Sequence, residues 1–315
     1  MIEGRRHFVI VGPTAAGKSS IAMELALRPD LLGAETIEIV SIDSMCVYKK
    51  MDIGTAKPGV EARKSVKHHM IDVVEPSEDY SVSRFQVDAL KAIDEIEAKG
   101  STALLVGGTG LYLRAVIDKL DIPGQWPEMA AELKEQCMLG GAALLHDRLK
   151  RLDPIAASRM EPSNERRVIR ALEVTIGSGR PFSSFGPGMS EYGTTPFLQV
   201  GIDPGIHELD RRIESRMIHQ MEQGFLEEVS GLVAESIPVS KTAAQGLGYR
   251  ELFGYLAGES DLGQAVGEAI RRTRKFARRQ RSWFRRDRRI VWADPQSQID
   301  SVVRAFAEQI RQSVP

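Results

Sequence analysis

The sequence predicts an α/β protein, a parallel sheet with helices on both faces and a small all-helical insertion. Three observations predict it. Short β-branched and apolar runs alternate with segments of helical periodicity, a glycine-rich octapeptide sits at a strand-to-helix junction, and residues 128–176 keep helical periodicity without a strand. At 315 residues the chain exceeds one typical domain. The expected division is a core of residues 1–120 and 197–315 with an inserted helical domain at 121–196.

The elements follow in order. His7-Phe8-Val9-Ile10-Val11 is a strand that stops at Gly12-Pro13-Thr14-Ala15-Ala16-Gly17-Lys18-Ser19, and Ser19 to Leu27 is helical. The octapeptide completes the P-loop pattern in the strand–loop–helix context that the pattern requires, which makes the core P-loop NTPase-like. Its backbone N–H groups and the helix N-terminus cradle a diphosphate or triphosphate, Lys18 adds a point charge, and the Ser19 hydroxyl can hold Mg²⁺. The motif reports polyphosphate binding and does not say whether the bound molecule is a nucleotide.

Thr36 to Ile42 is a second strand, ending at Asp43. Val82 to Lys99 is a helix, and Thr102 to Val106 a third strand ending at Gly107-Gly108-Thr109-Gly110. In a parallel sheet these three loops share the crevice at the strands' carboxyl ends. Asp43 then has three possible roles: binding Mg²⁺ through water, acting as a general base, or capping a helix within Asp43-Ser44. After Leu120 the chain turns at Asp121 to Pro127, and helical patterns run from Glu128 through Ile176. Gly177 to Pro196 is a loop, and Phe197 to Ile202 resumes the sheet. Helices over 206–235, 247–257 and 262–287, a strand at Ile290-Val291-Trp292 and a terminal helix complete the chain.

With 42% hydrophobic and 27% charged residues the composition is that of an ordinary soluble globular protein. No run of about 18 uncharged apolar residues exists, and Met1 to Arg6 lacks the apolar stretch of a secretory signal. A cytoplasmic protein with no membrane partner is expected. Cys46 and Cys137 alone exclude a disulfide framework and a four-thiolate zinc site. The net charge is −1, yet between Arg271 and Arg289 the many basic residues face one acid, Asp287. Such a run is either a solvated helix face or a ridge that tracks phosphates. Ile270, Phe276, Gln280, Trp283 and Phe284 recur at helical spacing, a pattern that packs one stripe and turns the arginines outward. Adjacent His68 and His69 lack any acid–histidine spacing for a metal, and a structural or substrate-loop role is expected. Trp126, Phe182, Phe185 and Tyr192 are expected to pack the insertion.

Five blocks carry a family resemblance. Ser41-Ile42-Asp43-Ser44 with Tyr48 to Pro58, Leu105 to Tyr112, Arg170-Ala171-Leu172-Glu173-Val174, Gly246-Leu247-Gly248-Tyr249-Arg250 and Arg279-Gln280-Arg281-Ser282-Trp283-Phe284 resemble, in order and over nearly the whole length, the tRNA dimethylallyltransferases. The resemblance implies transfer of a dimethylallyl group from dimethylallyl diphosphate to N6 of the adenosine next to the anticodon, in tRNAs reading codons that begin with U. It implies that Gly12 to Ser19 hold the donor's diphosphate with Mg²⁺ at Ser19. Thr14, Lys18 and Arg216 would assist the leaving group, with Arg212 beside them, and Asp43 would act as general base. Ion pairing with Glu208, Asp210 or Glu214 is the bland alternative for both arginines.

For the tRNA anticodon stem-loop, the matching positions are Asp43, Ser44, Met45, Cys46, Thr109, Arg166, Arg167, Arg170, Gln245, Gly246, Gly248, Tyr249, Arg250, Arg278, Arg279, Gln280, Arg281, Trp283 and Arg285. The target base must leave its stack to be reached. A monomer is expected. The chain departs from the family near Ala130, where relatives carry a basic residue, and has Ser19 and Ser282 where threonine is common. It has no cysteines for the zinc finger of eukaryotic relatives. The rival readings are an adenylate dimethylallyltransferase acting on free nucleotide and a P-loop small-molecule kinase.

Overall fold

β1 (His7–Val11) lies inside a six-stranded sheet whose strands are all parallel, in the order β3-β2-β4-β1-β5-β6. The computed structural model describes residues 7–186, 191–235, 237–294 and 298–312. The amino-terminal hexapeptide and the part of the long loop at 187–190 therefore lie outside the described residues. β2 (Ile37–Ile42), β4 (Thr102–Gly107), β5 (Phe197–Gly201) and β6 (Ile290–Trp292) are the other expected strands.

Strand side chains alternate between two cores, as a sheet covered on both faces requires. Val9, Val11, Val40, Ile42 and Leu105 face one core with Phe85, Ile93 and Ile96 of α3 (Val82–Ala98). Phe8, Ile10, Ile39 and Leu104 face the other with Ile21 and Leu25 of α1 (Lys18–Leu27) and Phe306 of α12 (Gln298–Gln312). Ser81 starts α3 by accepting from Arg84 N with its hydroxyl, a cap that polar residues before helices supply.

Three differences from expectation have local causes. The helix expected over 206–235 is two, α8 (Ile206–Glu222) and α9 (Phe225–Val233), because Gly224 takes φ 96 between them. The helix expected to run to 287 is α11 (Leu262–Phe284): the Asp287 carboxylate accepts from Arg289 N at 3.0 Å and closes a turn instead. His68 and His69 form a two-residue strand, β3, against Ile39 and Val40. His69 Nε2 lies 2.6 Å from Glu38 Oε2 and His68 Nδ1 lies 2.8 Å from Val66 O, so both rings serve this edge. α2 (Val60–Ser65), α4 (Gly110–Ile117) and α10 (Tyr249–Leu256) complete this part of the fold.

The stripe on α11 also differs. Its buried positions are Ala265, Ala269, Thr273, Ala277, Gln280 and Phe284, whereas Ile270, Phe276 and Trp283 are only partly covered. Small residues at this spacing let the helix lie close against α8 and α10.

The chain divides into two compact units, Met1–Ile117 with Thr194–Pro315, and Asp118–Gly193. The second contains α5 (Pro127–Leu152, interrupted at Gly141), α6 (Pro154–Ser158) and α7 (Glu165–Ser178), with no strand among its described residues. Leu133, Leu149, Val168 and Leu172 make its core. Trp126 packs there, since a Cβ on Gly177 would meet its ring at 2.3 Å.

Leu105 is fully buried on a strand paired on both sides. Leu105→Ala should cost about 2–5 kcal/mol, read as a lowered urea midpoint; a loss under about 1 kcal/mol would contradict close packing at this position.

Candidate active site

The register of the sheet brings the expected loops together. Val11 is level with Gly107 and with Gly201, and Ile42 is level with Gly107. The next residues, Gly12, Asp43, Gly108 and Ile202, therefore open on one crevice at the carboxyl edge, where ligands of parallel sheets bind.

The octapeptide forms a tight loop here. A Cβ at Gly12 would stand 2.3 Å from Ile202 O, so the loop can pass β5 only as glycine. Gly17, at φ 95, turns the chain into α1, whose first N–H groups have no partner within the helix. Lys18 Nζ donates to Pro13 O at 2.7 Å and Arg216 Nη2 donates to Thr14 Oγ1 at 2.9 Å. Arg212 Nε donates to Glu208 Oε1 at 2.6 Å and its Nη1 to Ala16 O at 3.4 Å. Arg212 thus makes the bland ion pair and touches the loop, whereas Arg216 is committed to the loop. Ser19 is exposed at the loop's end.

Burial pulls the Lys18 amine down to about 8; the Asp43 carboxylate opposes that shift and the Arg216 guanidinium adds to it. Burial also lowers Arg216, again against the pull of Asp43. Two cations held beside orphan N–H groups, both short of solvation, make a receptor for a polyanion.

Asp43 takes its capping role at a turn and not at a helix. Its Oδ1 accepts from Met45 N at 2.7 Å and Cys46 N at 3.3 Å, which caps the turn after β2. Its Oδ2 has no hydrogen-bond partner among the described residues. Cys46 is buried, its Sγ 3.9 Å from Thr55 O, and burial pushes its thiol up, so it stays neutral. Ser44 and Met45 are half-buried in the same turn, and Thr109 is half-buried just after Gly108. Burial likewise pushes the nearby Tyr112 hydroxyl up to about 12.

The segment after Asp43 is stiffened from within. Lys57 Nζ, whose side chain is 1% exposed, donates to Tyr48 O at 2.5 Å and to Asp52 and Asp72 at 2.7 Å each. Glu228 accepts from Asp52 N, Ile53 N and Gly54 N at 2.8, 2.7 and 3.2 Å and from Tyr249 Oη at 2.5 Å. Tyr249 is therefore a buried support, with Gly248 N donating to Glu251 beside it. Gln245 and Arg250 stay exposed, and a Cβ on Gly246 would lie 3.3 Å from Met45 Sδ, so this segment borders the Asp43 turn.

Many of the arginines on α11 are engaged within the chain. Arg278 pairs with Asp210 at 2.6 Å, and Arg281 and Arg285 both reach Asp203 Oδ2 at 2.6 Å. Burial of Asp203 opposes ionisation, but hydrogen bonds from Arg285 and Arg281 outweigh it and hold the carboxyl below its ordinary range. Arg279 lies over the Phe276 ring, 5.7 Å from its centroid. Trp283 packs on Gly110, where a Cβ would stand 2.1 Å from Nε1. Gln280 is buried between two loops, Oε1 accepting from Thr14 N and Nε2 donating to Gly108 O, both at 2.8 Å. In the helical unit, Arg170 clamps its own loop, donating to Glu173, Pro123 O and Gly124 O, while Arg166 and Arg167 are exposed.

Sequence reasoning missed Asp203 and Glu228. Asp203 follows an apolar strand as Asp43 does, and the same rule would have singled it out. Glu228 follows Glu227 on a helix, and no pattern marks which acid turns inward.

The family model described as IPP transferase matches residues 46–287. A tRNA dimethylallyltransferase of Thermobifida fusca is 44% identical over 299 residues, 95% of this chain and 92% of the relative. The solved tRNA isopentenylpyrophosphate transferase of Bacillus halodurans aligns with a TM-score of 0.69 at 35% identity over 98% of each chain. A eukaryotic dimethylallyltransferase acting on tRNA aligns with a TM-score of 0.77 at 25% identity, covering 99% of this chain and 81% of that one.

Lys18 supplies a pH test. With its folded value lowered from 10.5 to about 8, the amine's contribution to stability is full above 10.5 and is lost as pH falls through about 8. A bound polyanion favours the charged amine, so inorganic diphosphate should take up part of a proton on binding at about pH 8.5. Calorimetry in buffers of different ionisation enthalpy should detect it in the wild-type chain and lose it in Lys18→Arg; buffer-independent heat in the wild type would refute the assignment.

Proposed function

Because this chain belongs to the IPP transferase family, we propose that it moves the dimethylallyl group of dimethylallyl diphosphate onto N6 of the adenosine next to the anticodon in tRNA. The product would be N6-isopentenyladenosine, in tRNAs reading codons that begin with U. The observation that carries the reading is the free Oδ2 of Asp43 on the same crevice as a loop served by Lys18 and Arg216.

In the reaction the adenine N6 attacks the allylic carbon, the carbon–oxygen bond to diphosphate breaks, and its electron pair leaves with the diphosphate. Charge collects on the departing oxygens, where Lys18, Thr14, Arg216 and the loop N–H groups stand as fixed donors. The N6 proton passes to Asp43, whose Oδ1 is held by two backbone N–H groups, so that Oδ2 keeps a fixed direction. Ser19, whose hydroxyl is exposed at the end of the loop, would hold Mg²⁺. A hydrated ion of that kind relies mostly on substrate phosphates. When bound there it would neutralise charge developing on the diphosphate.

An enzyme acting on free adenylate would share the loop and Asp43, but would have no use for exposed Arg166 and Arg167 on the helical unit. A kinase reading has no observation in its favour beyond the loop itself. Among the described residues no helix is long and apolar enough to cross a membrane.

Incubation with unmodified tRNA, labelled dimethylallyl diphosphate and Mg²⁺ should place label at the adenosine beside the anticodon. Label confined to free AMP would overturn the RNA assignment. Asp43→Ala should lower kcat by about 10²–10⁴, and Arg216→Gln by about 10²–10³; near-normal turnover in either would remove that residue from the mechanism. Arg166→Ala and Arg167→Ala should each reduce the slope of log Kd for tRNA against log salt by roughly one, and an unchanged slope would exclude phosphate contacts there.

A further inference from the structure

We propose that Gln280 is a positioning residue for the donor cradle, tying the arginine-bearing helix α11 to the phosphate loop. The role rests on the function just proposed. Gln280 is 7% exposed in a stripe otherwise made of alanine, threonine and phenylalanine. A primary amide at such a position is costly unless both of its ends are bonded. Both are: Oε1 accepts the Thr14 N–H and Nε2 donates to Gly108 O, each at 2.8 Å. The amide therefore bridges the loops that follow β1 and β4. No other side chain of this length does the same, since glutamate has no donor, methionine has neither group, and asparagine is a methylene short.

The surroundings are shaped to this bridge. A Cβ on Gly108 would stand 2.4 Å from Gln280 Nε2 and 3.1 Å from Gly12 O, so the amide fits only against a glycine. Thr14 is held on two sides, its N–H by Gln280 and its Oγ1 by Arg216. The peptide that orients the hydroxyl of Thr14 is thus set by α11. The same stretch of helix is anchored just after this link, by Arg281 on Asp203 at 2.6 Å and by Trp283 against Gly110. With both ends engaged inside the protein, Gln280 serves the diphosphate side and not base reading, although the helix that carries it bears the arginines.

The test is Gln280→Met in the full chain, which keeps length and volume and removes both hydrogen bonds. Calorimetry with inorganic diphosphate and Mg²⁺, without tRNA, should show affinity about tenfold weaker, while tRNA affinity stays within about twofold. The KM for dimethylallyl diphosphate should rise by a similar factor. A general loss of structure would instead lower both affinities together with the melting temperature. Gln280→Asn, which keeps the amide but is a methylene short of the bridge, should reproduce the donor-side loss and decides the matter if Gln280→Met does not fold. Unchanged diphosphate affinity in either folded variant, or a loss confined to tRNA, overturns the proposal. A wild-type chain that does not bind diphosphate removes the proposed function itself, whereas wild-type binding retained by Gln280→Met removes only the role of Gln280.

Discussion

Everything in the crevice depends on the register of one parallel sheet. Because Val11, Ile42, Gly107 and Gly201 end level with one another, four loops leave the sheet at the same height. The phosphate loop, the Asp43 turn, the Gly108 turn and the Asp203 loop can then meet without any of them being long. A shift of one residue in β2 would reverse its faces, moving Ile42 out of the core and carrying Asp43 away from Lys18. The alternation of Val40 and Ile42 into one core and Ile39 into the other prevents that shift. Hydrophobic packing far from the chemistry is therefore what holds the acid beside the cations.

The electrostatics of the site follow from this enforced closeness. Lys18 and Arg216 are both disfavoured by burial, and the single carboxylate between them does not fully compensate. A bound polyanion would supply the missing charge, and part of its binding energy would come from relieving cations that the fold has already desolvated. The same carboxylate loses one oxygen to the Met45 and Cys46 amides, which keeps it from collapsing onto either cation. Its second oxygen remains available because the first is occupied.

The phosphate loop, the strands and Asp43 were legible in the sequence because their signals are local: a complete motif, β-branched runs and an acid at a strand end. The supports were not. Glu228 collects three successive N–H groups across more than 170 residues of chain, together with the hydroxyl of Tyr249, and no spacing encodes the long-range contact. The block from Tyr48 to Lys57 carried the family resemblance, yet in the fold much of it is a stiffened loop, with Lys57 buried against Asp52 and Asp72. The pairing of the basic run on α11 was equally illegible, since a count of arginines does not reveal that Asp203, Asp210 and Glu214 wait on neighbouring segments.

Those ion pairs bear on how RNA and donor would be handled by one helix. Arg281 and Arg285 share Asp203 at the carboxyl edge of β5, and Arg285 also stacks 4.8 Å from the Trp292 ring centroid. A phosphate approaching either guanidinium must compete with a carboxylate already in place, so these residues add little free charge to the surface. What they do add is rigidity, because a paired and stacked arginine has few rotamers left to lose. The alanine stripe on the opposite side keeps α11 close to α8, the helix that carries Arg216. One helix thereby packs on its inner side against α8, which carries Arg216, and holds its paired arginines on the other.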